Sequence, residues 1–107
     1  MNAVARLWRA HEARDWPAAA MQLHPQAVIE WPHEARRFAT AEDYLVAWQL
    51  TPDDQRVELR EIVAESKTVA VLARIEREGA PTLHCSAFYE MHDGRIARGT
   101  EVWAPQG

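Results

Sequence analysis

Apolar residues near the start of the chain recur at the spacing of a helix. Val4, Leu7 and Trp8, followed by His11, lie three or four positions apart along one helical face, and charged side chains occupy the opposite face. This pattern predicts an amphipathic helix over Ala3–Ala13.

Two further helices are predicted in the first half of the chain. Asp15 can cap a short helix that ends at Leu23, because the residue before Pro25 is pushed out of the α region. Thr40 can cap a longer third helix. The buried face of that helix is predicted to hold Ala41, Tyr44, Leu45 and Trp48.

Alternating polar and apolar residues predict strands elsewhere. The first predicted strand is Gln26–Trp31, which ends at Pro32, and residues 33–39 are predicted as a loop. After the third helix the predicted strands are Arg56–Glu65, Thr68–Arg77 and the two halves of a hairpin over Thr82–Ala104. The hairpin turns at His92-Asp93-Gly94, because a glycine after aspartate supplies the positive φ of a tight turn.

The order of these elements predicts an α+β fold. Three helices with one strand among them come first, and four long antiparallel strands follow. Strands of this length usually curl. We therefore expect a cone-shaped curved antiparallel sheet wrapped around the three N-terminal helices, with a cavity between the two layers. A chain of 107 residues is long enough for one core, so residues 1–107 are predicted to form a single domain.

Composition and charge limit the partners. The net charge of −4 and the absence of a basic cluster argue against nucleic acid and anionic membranes as partners. No apolar run reaches the length of a signal peptide or a membrane span. The single cysteine, Cys85, allows no internal disulfide, which fits a cytoplasmic location.

Motifs for metals and cofactors are missing from the sequence. The five histidines show none of the paired spacings that bind metal ions, and the four glycines form no phosphate-binding loop. The sequence therefore predicts no metal site and no cofactor.

Several local motifs, in this order and at this spacing, resemble the nuclear transport factor 2-like superfamily, specifically its SnoaL-like and ketosteroid isomerase-like branch. The matching stretches are Ala13–Trp16, Ala27–Pro32, Arg37–Asp43 and Ala87–Ile96. The resemblance covers nearly the whole chain. It implies a cystatin-like α+β barrel, a homodimer that packs through the outer sheet face, and a small apolar ligand inside the cone.

The resemblance does not extend to the catalytic residues of the isomerase. The position of its general-base aspartate is occupied by Trp31, and the position of its oxyanion-hole tyrosine falls near Leu7 or Trp8. Its protonated aspartate falls near Ser86, and a serine is a weaker oxyanion donor. The Asp-Arg-Asp set of the limonene epoxide hydrolases is not visible either.

One face of the final hairpin combines polar and aromatic residues. Alternate residues of its first strand are His84, Ser86, Phe88 and Glu90, and those of its second strand are Gly99, Glu101 and Trp103. A face of this kind is typical of a pocket lining, although a half-wet sheet face is the alternative. The predicted ligand-binding residues are Trp8, Trp31, His33, Trp48, Ser86, Phe88 and Trp103. The alternative reading makes the tryptophans core residues and His33 a solvated loop residue.

Glu101 is the strongest candidate for a chemical role. In a pocket walled by Trp31, Trp48 and Trp103, desolvation raises the pKa of a carboxyl group and makes it a general acid or base. His84 is predicted to assist it as a second catalytic residue that shares or orients the proton; the alternative for His84 is a wall histidine with satisfied hydrogen bonds. The alternative is that Glu101 pairs with an arginine of residues 33–39, Arg36 or Arg37, because buried charges are usually paired.

Two functions follow from these observations. The first is a small-molecule pocket protein that acts as an isomerase, cyclase or hydratase on an apolar carbonyl-bearing compound. The second is a non-catalytic dimeric domain that binds a ligand or another protein.

Overall fold

The first and third helices and the long C-terminal strands lie where the sequence predicts them, whereas the second helix ends at Met21 and not at the predicted Leu23. A computed structural model describes residues 2–105 of the chain. Its elements are α1 (Ala3–Ala13), α2 (Trp16–Met21), β1 (Leu23–Trp31), a 3₁₀ turn (Pro32–Glu34), β2 (Arg36–Phe38), α3 (Ala41–Gln49), β3 (Arg56–Glu65), β4 (Thr68–Glu76), β5 (Leu83–His92) and β6 (Arg95–Pro105). Across residues 2–105, no helix combines the length and the apolar character that crossing a bilayer requires.

The six strands form one curved sheet in the order β2-β1-β6-β5-β4-β3, and with the helices they make the α+β cone. The prediction of an antiparallel sheet is correct for β3 to β6. It is wrong for β1, which runs parallel to β6 and makes the sheet mixed. The predicted loop 33–39 also contains the short edge strand β2, which pairs with the end of β1.

Strand β1 begins earlier than predicted. It starts at Leu23 and contains Pro25. The sequence pattern predicted that a helix ends before Pro25 and did not predict a strand there. The pairing of β1 with β6 is interrupted between Leu23 and Val28. A proline is tolerated in that interval because no ladder hydrogen bond needs its missing N–H.

The core lies between the helices and the concave face of the sheet. Helix α1 starts at its cap Asn2 and buries the predicted face of Val4, Leu7 and Trp8 together with His11. Helix α3 starts at the predicted cap Thr40. It buries the predicted residues Ala41, Tyr44, Leu45 and Trp48. The helical layer therefore directs several aromatic rings toward β1, β5 and β6.

A β-bulge near the turn decides which residues of β5 face this core. The turn itself is as predicted, with positive φ at Asp93 and Gly94. Beyond it Met91 pairs with Ile96, but Glu90 pairs with Arg98, so that β6 carries one extra residue. An extra residue shifts all later pairs by one position, which turns the side chains of one strand to the other face.

The bulge makes half of the predicted hairpin face wrong. Without it Ser86 would lie opposite Glu101, whereas Ala87 is the observed partner of Glu101 and Cys85 is the partner of Trp103. Gly99 and Glu101 are buried as predicted, and Trp103 is half-buried. The β5 residues that point inward are Cys85, Ala87 and Tyr89, and the predicted His84, Ser86 and Phe88 are exposed on the outer face.

Candidate functional site

The carboxylate of Glu101 lies at the centre of the core and accepts three hydrogen bonds. Its side chain is completely buried. Oε1 accepts from Trp31 Nε1 at 2.9 Å. Oε2 accepts from the hydroxyls of Tyr44 at 2.7 Å and Tyr89 at 2.5 Å. The donors come from β1, α3 and β5, so that this cage of Trp31, Tyr44 and Tyr89 around Glu101 exists only in the assembled fold.

Two longer hydrogen-bond chains end at this carboxylate. Trp8 Nε1 donates to the hydroxyl of Tyr89 at 3.0 Å, and that hydroxyl donates to Glu101. His11 Nε2 lies 3.0 Å from the hydroxyl of Tyr44. Because the only proton of that hydroxyl is used by Glu101, we assign the donated proton to His11 Nε2. One chain therefore places Trp8 behind Tyr89, and the other places His11 behind Tyr44; both are neutral donors.

No arginine neutralises Glu101, so the predicted ion pair with Arg36 or Arg37 is wrong. Arg36 lies over the rings of Trp31 and Phe38, 5.4 Å and 4.8 Å from their centroids. Among residues 2–105, the ion pair of Arg36 is with Glu34. Within residues 2–105, Glu101 is thus a buried carboxylate whose hydrogen-bond donors are all neutral.

Burial and hydrogen bonding act in opposite directions on the pKa of Glu101. Desolvation raises the pKa, and the hydrogen bonds from Tyr44, Tyr89 and Trp31 lower it by a smaller amount. Desolvation and the adjacent carboxylate also raise the pKa of both tyrosines well above the ordinary value. Both hydroxyls therefore stay protonated at neutral pH and act as donors.

His11 is a neutral histidine in the aromatic core. Its ring stacks on Trp48 at 3.8 Å between centroids and meets Trp8 edge-on at 5.5 Å. Complete burial lowers the pKa of His11 from 6.5 to about 3. Among the described residues its Nδ1 atom has no hydrogen-bond partner. A protonated ring would leave an unpaired charge in this core, which the structure strongly disfavours.

Gly99 makes room for the ring of Tyr89. The two residues are cross-strand partners on the inner face. A Cβ atom at Gly99 would lie 2.6 Å from Cδ1 of Tyr89 and 2.9 Å from Cδ1 of Ile29. A glycine is therefore required at this position if the Tyr89 hydroxyl is to reach Glu101.

An apolar pocket of about 260 Å³ opens beside this cage at the rim of the cone. Its larger walls and its charged residues are Trp31, Trp48, Trp103, His33, Glu34 and Arg77. The ring of Trp103 packs 5.2 Å from Trp48 and 5.8 Å from Trp31. Trp31 contacts both sites, since its indole walls the pocket while its N–H binds Glu101.

The predicted site residues separate into three groups. Trp31, Trp48, Trp103 and His33 line the pocket together. Trp8 and Glu101 are buried beneath it and do not line it. His84, Ser86 and Phe88 lie on the outer face of the sheet, because of the bulge in β6. His84 is therefore excluded as the assistant of Glu101.

Four important residues were not predicted from the sequence. Tyr44 and Tyr89 hold the carboxylate, and Glu34 and Arg77 charge the pocket rim. Tyr44 was assigned only to a buried helix face, and Tyr89 to the wrong face of its strand. Gly99 offered a signal, because a glycine inside a strand often marks a close approach by a large cross-strand side chain.

Comparison with known proteins relates this geometry to one family. A family model for the SnoaL-like domain matches residues 4–99. No functionally curated protein matches the sequence.

Solved structures share the whole architecture. A candidate ketosteroid isomerase from Kribbella flavida is 24% identical, with a TM-score of 0.90 over 98% of this chain and 77% of that one. A candidate polyketide cyclase from Streptomyces antibioticus is 20% identical, with a TM-score of 0.80 over 94% and 88%. An LEH-like epoxide hydrolase from M. tuberculosis is 16% identical, with a TM-score of 0.77 over 95% and 80%. At these identities the similarity establishes the fold.

The burial of neutral His11 predicts a specific loss of stability in acid. Because its folded-state pKa is lowered to about 3, the unfolded chain binds one more proton than the folded chain between there and 6.5. This proton should lower the free energy of unfolding by about 1.4 kcal/mol per pH unit as the pH falls. The variant His11→Phe keeps an aromatic ring on Trp48 and should lack this contribution.

Urea unfolding of both proteins at pH 7, 6, 5 and 4 measures the effect as a difference in slope. The exposed His84 supplies a matched control, since His84→Gln should follow the wild-type slope. Parallel curves for wild type and His11→Phe would contradict the assignment of a neutral, buried His11.

Proposed function

The chain belongs to the SnoaL-like domain family of the nuclear transport factor 2-like superfamily, and we propose that it binds a flat, apolar small molecule in the pocket at the rim of the cone. The observation that carries this proposal is the pocket walled by the indoles of Trp31, Trp48 and Trp103. Three large aromatic faces around about 260 Å³ suit a ring-bearing compound. The names of the similar structures, an isomerase, a cyclase and an epoxide hydrolase, are consistent with a small-molecule ligand.

The pocket walls are fixed before a ligand arrives. Trp31 is held by its hydrogen bond to Glu101, and Trp48 is stacked on His11. Immobile walls lose little conformational entropy on binding, which favours affinity. Trp103 is half-buried whereas Trp31 and Trp48 are buried, so Trp103 is the wall that a ligand meets first.

Truncation of Trp103 should weaken ligand binding. We expect a bicyclic ketone such as 2-tetralone to change the tryptophan fluorescence of the wild type, and we expect Trp103→Ala to raise its Kd about tenfold through loss of one stacking face. The outer-face variant Phe88→Ala is the matched control and should bind normally by isothermal titration calorimetry. If a panel of ring-bearing ketones, esters and acids leaves the wild-type fluorescence unchanged, the proposal fails.

The catalytic form of this function uses Glu101 as a general acid or base on a carbonyl compound. The raised pKa of the carboxyl group supports it, because a base of higher pKa accepts a proton from carbon more readily. Glu101 is fully buried, so this catalytic form differs from binding at the rim: it requires the indole of Trp31 to leave its hydrogen bond with Glu101 before a substrate can reach the carboxyl group. The reaction would remove a proton from the carbon next to the carbonyl, form the enolate, and return a proton from the carboxylic acid.

Hydrogen exchange measures this step directly. In D₂O, wild type should speed deuterium incorporation next to the carbonyl of 2-tetralone, as followed by NMR, and Glu101→Gln should reduce the rate to background. His84→Gln should retain the wild-type rate. Binding without accelerated exchange in the wild type would leave the non-catalytic alternative, a ligand-binding domain.

A homodimer through the outer sheet face is the second part of the proposal. Four large apolar side chains are exposed on that face, on strands β3 to β6. They are Val63, Leu72, Phe88 and Val102. Leu72 and Val102 flank Ser86 in one cross-strand row, and Val63 and Phe88 lie in the adjacent row through Ala70. Such a continuous apolar patch suits an isologous contact with a second copy.

A charge in the middle of the patch should prevent the contact. Analytical ultracentrifugation should show a dimer for the wild type and a monomer for Phe88→Asp, because pairing would bury an uncompensated carboxylate. The control Met21→Asp places the same charge at an exposed apolar residue of α2 and should remain dimeric. A monomeric wild type at micromolar concentration would contradict this part of the proposal.

A further inference from the structure

The charges around the aromatic pocket are unequally compensated. Glu34 lies 3.2 Å from His33 Nε2 and 3.8 Å from Arg36 Nη1, so its carboxylate is neutralised locally. Arg77 lines the same pocket and makes no ion pair within residues 2–105. Of the two oppositely charged residues Glu34 and Arg77, it is therefore Arg77 that lacks an ion-pair partner in the described part of the chain.

Three hydrogen-bond donors of residues that line this pocket also lack acceptors. They are Nε of Arg77 and the Nε1 atoms of Trp48 and Trp103, all of which are buried without a partner in the described part of the chain. A buried donor without an acceptor costs free energy, and a native structure usually satisfies it with protein, water or ligand. Arg77 and Trp103 line the pocket together, and an acceptor group on a ligand bound there is one way in which these donors can be satisfied.

We infer that the ligand of this pocket carries a carboxylate on its planar apolar body, and that Arg77 is the residue that selects it. The inference rests on the proposed ligand-binding function and names the chemistry of the ligand. A guanidinium presents Nε–H and a terminal N–H side by side, which matches the two oxygens of a carboxylate. The indoles of Trp31 and Trp48 then contact the ring system, while the acid lies at the rim beside Arg77 and Trp103.

The surroundings of Arg77 on its other side do not satisfy this charge. Arg77 also borders a solvent-open groove with Asp53, Asp54, Glu76 and Glu78, and Arg56 lies in the same groove. None of these carboxylates forms an ion pair with Arg77 in residues 2–105. They lower the local positive potential, so specificity should come from the hydrogen-bond geometry of Arg77 more than from long-range attraction.

Two probes of the same shape test the inference. They are 2-naphthoate and its neutral methyl ester, and isothermal titration calorimetry gives both Kd values with the full-length protein. We expect wild type to bind the acid about tenfold more tightly than the ester, the size of effect expected for a bidentate charged hydrogen bond. Arg77→Gln should remove most of that preference and leave the Kd of the ester within about twofold.

Two further variants serve as controls for the charge and the position of the substitution. Arg77→Lys retains the charge without the planar fork and should recover only part of the preference for the acid. Arg56→Gln removes a charge from the neighbouring groove alone and should leave both Kd values unchanged. Thermal unfolding of each variant checks that the fold is intact.

The outcomes separate this inference from the proposed function. If wild type binds neither probe nor any other ring compound, the ligand-binding function itself fails. If it binds acid and ester equally, or if Arg77→Gln weakens both alike, the pocket stands and the carboxylate assignment is overturned. Tighter binding of 2-naphthyl phosphate than of 2-naphthoate overturns it as well.

Discussion

The structure depends on a carboxylate that is buried without a cation. Removing Glu101 from water is costly, and no arginine repays that cost in this protein. Three neutral donors instead complete the coordination of its two oxygens, and each donor comes from a different element. This requirement ties α3 to β1, β5 and β6. Removing any one donor would leave the buried carboxylate of Glu101 with an incomplete set of hydrogen bonds.

The same interaction explains why the pocket lies at the rim. The indole of Trp31 binds Glu101, and Trp8, Trp48 and His11 fill the space around it. The filled interior moves the accessible cavity outward to Trp103, and it makes the indole walls rigid. Rigidity of the walls and burial of the carboxylate are consequences of one hydrogen-bonded cage.

Local patterns in the sequence were sufficient for the elements and for the general architecture. Helical spacing identified the buried faces of α1 and α3, and alternation with the Asp93-Gly94 turn identified the final hairpin. The parallel contact of β1 with β6 and the short strand β2 were not predicted, because both depend on which distant segments meet. A loop of seven residues carries no signal that distinguishes an edge strand from irregular chain when only three residues pair.

The sequence by itself determined the fold class, because that follows from the order of the elements, and it placed Glu101 and Trp103 on one face of their strand, because side chains alternate along a strand. Only the tertiary structure decided the composition of the site. One extra residue in β6 turned Tyr89 inward and Ser86 outward, since side chains alternate strictly along a strand and a shift of one position exchanges the two faces. The partners of the buried Glu101 carboxylate are two tyrosine hydroxyls and one indole N–H, and not the expected arginine. Which donors reach a carboxylate is set by distances between elements far apart in the chain, and no local pattern encodes those distances.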